Sequence, residues 1–96
     1  MDSRIVWSDD ALNDLQEVAA YIARERPDTA LRIGSELIRD VELLSTFPEY
    51  GRVSPEDPNV RETVHRRWRI FYRLESNRNV TIVRVWDAAR GDPPLP

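Results

Sequence analysis

Apolar residues recur every three or four positions before residue 47 and every two after residue 60. The first period lines one face of a helix and the second one face of a strand, so helices come first and a sheet follows. Between them lies FPEYGRVSPEDPNV, residues 47–60, which holds Gly51 and three of the chain's seven prolines. These residues break helical order and mark a crossover loop. A chain of 96 residues with 41% apolar content supports one modest core, so residues 1–96 are expected to form a single domain.

Each half resolves further. Arg4–Trp7 is short and β-branched and reads as a first strand. Ser8 is a good N-cap, and Asp9 and Asp10 after it suit the positive end of a helix dipole. Leu12, Leu15, Val18, Ala19 and Ile22 form the inward stripe of that helix, leaving Asn13, Asp14, Gln16 and Glu17 to water. Pro27 ends it, and Asp28 is expected to cap a second helix. Ala30, Ile33, Leu37, Val41 and Leu44 lie on one line of this second helix, and Leu31 and Ile38 on a neighbouring one. The short link predicts an antiparallel helical hairpin. Strands are expected at 60–65, 68–74 and 80–86, and the tail GDPPLP is expected to fray. The fold class is therefore α+β: a short N-terminal strand, an αα-hairpin, and a three-stranded antiparallel meander completing one sheet (β-α-α-β-β-β).

Composition narrows the chemistry. The chain has no cysteine, which excludes disulfides and thiolate metal ligands, and no zinc site or other cofactor is expected. No apolar run approaches the roughly 20 residues that span a bilayer, so a cytoplasmic protein without a membrane partner is expected. All 14 basic residues are arginine, which removes lysine as a nucleophile or acid/base group. Residues 1–50 carry 5 arginines against 11 acids, and residues 51–96 carry 9 against 6. The helical half is thus net acidic, which argues against a DNA-reading helix and any direct DNA binding.

The cationic residues concentrate in VHRRWRIFYRL, residues 64–74. Alternation places Trp68, Ile70, Tyr72 and Leu74 against the helices and Arg69, Phe71 and Arg73 on the open face, with Arg66 and Arg67 at the turn. By the same count Val80, Ile82, Arg84 and Trp86 share one face of the last strand, with Trp86 expected in the core like Trp68. His65, the only histidine, is expected at a solvated turn with only Glu62 as a nearby carboxylate.

AAYIARERPDTALR in the helical hairpin, the corner FPEYGR, the strand WRIFYRL and the last strand VTIVRVWDAAR together resemble the RelE/ParE superfamily, the toxins of type II toxin–antitoxin modules. Length and loop placement suit the ParE-like branch best. The resemblance implies a plasmid-stabilisation toxin neutralised by a cognate antitoxin. ParE-type members inhibit DNA gyrase without a recognised hydrolytic site, whereas RelE-type members cut messenger RNA on the ribosome. On the RelE pattern, Arg69 and Arg90 match the catalytic arginines. Val60 and Glu62 fall where two lysines belong, and no C-terminal tyrosine is present. Arginine cannot shuttle protons at neutral pH, so catalytic residues are left unassigned unless the chain is a nuclease, in which case Arg69 and Arg90 are the candidates.

The candidate target- or antitoxin-binding residues are Arg61, Arg66, Arg67, Arg69, Phe71, Arg73 and Arg90. Arg69 and Arg73 read equally as solvated residues of an exposed sheet face, and a run such as Arg61, Arg66 and Arg67 is more often a charged solvated surface than a phosphate contact. Two target readings stay open here: gyrase, or the ribosome and its mRNA.

Overall fold

The computed structural model describes residues 3–95. Strand β1 (Ile5–Trp7) leads into helices α1 (Asp9–Glu25) and α2 (Ala30–Thr46). Strands β2 (Arg52–Val53), β3 (Val60–His65), β4 (Trp68–Leu74) and β5 (Val80–Asp87) follow, and a single 3-10 turn covers Ala88–Arg90. The strands form one sheet in the order β1-β5-β4-β3-β2. The expected meander β3-β4-β5 is antiparallel throughout, but β1 joins β5 in parallel, which makes the sheet mixed. Two-residue β2 lies in the segment expected to be loop and pairs with β3 at Glu62 and Arg61.

Ser8 caps α1 as its sequence demands: its side chain accepts the Ala11 N–H at 3.1 Å and donates to the Val83 carbonyl at 3.2 Å, so one hydroxyl both caps the helix and ties it to β5. Asp28 does not cap α2. The helix opens at Thr29, whose side chain makes no capping bond to it. The inward face of α1 is also rotated from the expected stripe. Ala11, Asp14, Val18 and Ile22 are buried, Leu15 is half-buried, and Leu12 and Ala19 are exposed. Leu37, Val41 and Leu44 of α2 complete the core with Trp68, Ile70, Tyr72, Val80, Ile82 and Val85.

Parity holds along β4 but not along β5. Ile70 faces Val85 and Phe71 faces Arg84, yet the next pair is Tyr72 with Ile82, so β5 contains one extra residue. That bulge at Val83 exchanges the two faces of the strand beyond it. Ile82 and Val85 both point to the helices, while Val83 and Trp86 join Val60 and Phe71 in a second, smaller cluster on the opposite face. Trp86 is buried as expected, but on the side away from the helices. Residues 91–95 of the tail pack against that side rather than fray, with Pro93 buried and Leu95 on the second cluster, while Pro96 lies outside the described residues.

Candidate functional site

The tight turn at Arg66–Arg67 places arginines close to acidic side chains of α2 and β5. Arg66, with φ 58°, donates to Glu36 Oε2 from both Nε (3.2 Å) and Nη2 (3.0 Å). That hydrogen bond holds the Glu36 carboxyl below its ordinary pKa. Arg67 pairs with Asp87, donates to the Tyr21 hydroxyl at 3.2 Å, and lies 5.1 Å from the ring centres of both Tyr21 and Trp68. The bond from Arg67 likewise lowers the pKa of Asp87.

His65 is not a solvated turn residue. Its Nδ1 lies 2.5 Å from Asp40 Oδ2, and its Nε2, shielded from solvent, lies 3.4 Å from Glu36 Oε2 without hydrogen-bond geometry. Neither carboxylate is a sequence neighbour of His65: Asp40 and Glu36 sit on α2, 25 and 29 residues away in the chain. Their four-residue separation on a helix was the available signal, since it puts both on one face.

On the open face, Arg69 is tied down from three sides. Its guanidinium meets both Glu62 oxygens at 2.5 and 3.2 Å and donates to Gly91 O at 2.7 Å and Asp92 Oδ1 at 3.0 Å. The Glu62 bond raises the Arg69 pKa, so the group stays a fixed cation. Phe71 lies beneath it, 4.8 Å from ring centre to guanidinium carbon, and is buried, so it presents no exposed aromatic surface. Arg73 reaches Asp57 at 3.5 Å. Arg61 donates to the carbonyls of Glu49 and Gly51 at 3.1 and 2.9 Å and so braces the corner before β2. Arg90 stacks on Trp86, 3.9 Å from its ring centre, with Arg84 at 4.7 Å from the same ring. Val60, where the nuclease pattern requires a lysine, is fully buried.

The corner FPEYGR is held by one buried hydroxyl. Tyr72 accepts the Gly51 N–H at 2.7 Å and donates to Pro48 O at 2.9 Å. A side chain at position 51 would sit 2.6 Å from that hydroxyl, which accounts for glycine there. Burial raises the Tyr72 pKa. Among the described residues no group of acidic or histidine side chains has the arrangement of a metal site, and no helix is long and apolar enough to cross a membrane.

Two short helices over a sheet, a tyrosine-pinned corner and an arginine-laced meander agree with the model of the ParE toxin of type II toxin–antitoxin systems (parDE), which matches residues 5–91. The chain belongs to the ParE toxin family. Over 49 residues it is 39% identical to "Putative toxin Y4kP" of Sinorhizobium fredii, a match spanning 51% of each protein. Among solved structures, the fold is similar to a chain of the chromosomal ParDE system from P. aeruginosa, with TM-score 0.75 and 22% identity over 88% of this chain and 95% of that one. It is also similar to a chain of the RelBE2 toxin–antitoxin complex from Mycobacterium tuberculosis, with TM-score 0.70 and 19% identity over 91% and 92%. At these identities the structural likeness concerns the fold alone. ParE-family membership rests on the match to residues 5–91.

Proposed function

We propose that this ParE-family toxin is the growth-inhibiting half of a type II module, acts by binding DNA gyrase rather than by cutting RNA, and is neutralised by a cognate antitoxin. The observation that carries the non-hydrolytic reading is the state of Arg69. A nuclease arginine needs donors directed at a reacting phosphate. Here they are directed at Glu62, Asp92 and Gly91.

The other requirements of RNA cleavage point the same way. His65 shares the helix-facing side of the sheet with its register partner Trp68, whereas Arg69 lies on the opposite side, so these two groups cannot act on one phosphate. Arg90 lies on the Trp86 ring, and Glu62 places a carboxylate beside the face that would receive a polyanion. An inhibitor that works by binding needs none of this machinery. Ribosomes translating a defined message separate the two readings: added toxin should leave the transcript uncut in primer extension, and codon-dependent cuts would overturn the proposal in favour of a RelE-like endoribonuclease.

A further inference from the structure

Three large apolar side chains left in water cluster at the end of α2. Leu43 is 53% exposed, Phe47 58% and Tyr50 74%. With Asp40 they form one wall of a groove of about 360 Å³, whose other wall is β3 at Thr63 and Val64. Apolar exposure of this size on one site marks a binding surface more often than chance.

The strand wall of that groove has an unused hydrogen-bonding edge. His65 and Trp68 close the two-residue turn, and the closing pair of such a turn exchanges its hydrogen bonds. Bonding then alternates, so His65, Thr63 and Arg61 bond toward β4 while Val64, Glu62 and Val60 point their N–H and C=O the other way. Two observed bonds fix this phase: Leu74 N–H donates to Asn59 O at 3.3 Å on the β4 side, and Ser54 N–H donates to Val60 O at 2.8 Å on the β2 side. Strand β2 covers Glu62 through Arg52, and its next partner in register would be Tyr50 against Val64. Tyr50 is not available, because its N–H donates to Phe47 O at 3.0 Å and Gly51 is pinned by Tyr72. The corner therefore withdraws the chain from the sheet one pair early and leaves the edge at Val64 open.

We propose that an extended segment of the antitoxin adds to β3 at this edge in line with β2, pairs with the Val64 N–H and C=O, and lays an apolar side chain against Leu43, Phe47 and Tyr50. Strand addition supplies main-chain bonds from the edge and selectivity from the alternate side-chain site. The helical half carries 5 arginines against 11 acids, and the one charged residue lining the groove is Asp40, whose Oδ2 meets His65 and whose carboxylate is still partly exposed, so the segment's flanking charges are basic rather than acidic. This inference rests on the toxin–antitoxin reading and adds the place and chemistry of the contact.

The test is calorimetric titration of the purified toxin with the product of the small reading frame beside its gene. Val64→Pro removes the outward N–H and spares the β4 ladder, a substitution that edge strands tolerate. Phe47→Ser strips the groove wall. Each should weaken binding at least tenfold while the melting temperature stays within a few degrees. Leu31→Ser is the control: this residue is 85% exposed at the other end of α2, about 18 Å from Leu43 by helical rise, and should change binding less than twofold. If Val64→Pro and Phe47→Ser bind as the unaltered protein does, the docking surface is wrong while the antitoxin reading stands. If the unaltered toxin fails to bind that product, the antitoxin reading itself fails and this inference with it. Self-association of the toxin alone that Val64→Pro abolishes would give the edge to a second copy and overturn the proposed occupant.

Discussion

Arg84 of β5 grips Asp14 of α1 through two hydrogen bonds, Nε to Oδ2 at 2.7 Å and Nη2 to Oδ1 at 2.9 Å, and the same carboxylate accepts the Val85 N–H at 3.0 Å. Asp14 is only 6% exposed. The pair joins the first helix to the strand just after its bulge, and the bonded carboxylate raises the Arg84 pKa. Removing one partner of a buried pair strands the other. Asp14→Ala should therefore cost about 3 kcal/mol in chemical denaturation. A loss under about 1 kcal/mol would mean the pair behaves as a solvated one.

Tyr72→Phe should cost more than a single hydrogen bond. Without the hydroxyl, the Gly51 N–H and the Pro48 carbonyl both lose their partner inside the corner. The expected destabilisation is about 2 kcal/mol, read from the denaturant midpoint. Gly51→Ala should destabilise as well, because the added methyl meets the Tyr72 ring and hydroxyl. Normal stability in both variants would show that the corner does not depend on this contact.

These two sites show what the sequence could and could not tell. The helical hairpin and the meander were readable because each follows a period set by local backbone geometry. Trp68, Ile70 and Tyr72 follow it and lie in the core as expected. Asp14 was expected in water because its partner is 70 residues away and helical periodicity carries no information about a distant arginine. The arginine in the middle of VTIVRVW was the available hint. Trp86 lies on the face opposite to the one strict alternation predicts, because one bulged residue shifts everything beyond it, and Val83 differs in no local way from its neighbours. The tail lacks periodicity of its own. Its order comes from Arg69, Arg84 and the small cluster that receives Leu95.

Arg69→Ala tests that dependence. The substitution takes the Arg69 guanidinium from Glu62 and frees Gly91 and Asp92, so the Gly91 N–H, which donates to Ala88 O at 3.4 Å, should lose amide-exchange protection. Stability should fall by about 1–3 kcal/mol, more than for an exposed arginine. Unchanged exchange and stability would make Arg69 a surface residue free to meet a ligand.

Acid should loosen the hairpin turn from α2 and β5. The Glu36 and Asp87 carboxyls have folded pKa values below their ordinary 4.5 and 3.8. A depressed folded pKa contributes stability that is present above the unfolded value and lost as pH falls through the folded one. Stability should therefore hold from neutral pH to about 4.5 and decline below it. Arg66→Gln should flatten the Glu36 part of this decline and Arg67→Gln the Asp87 part, as followed by thermal melts across the acid range. A profile equally steep in both variants would assign the acid sensitivity elsewhere.

The most direct measurement of the central claim is DNA gyrase supercoiling of relaxed plasmid in the presence of purified toxin. Inhibition should grow with toxin concentration, an excess of the cognate antitoxin should reverse it, and neither the toxin nor its Arg90→Ala variant should cut RNA. Full supercoiling at toxin concentrations that arrest growth, together with cleavage of ribosome-bound message, would contradict it.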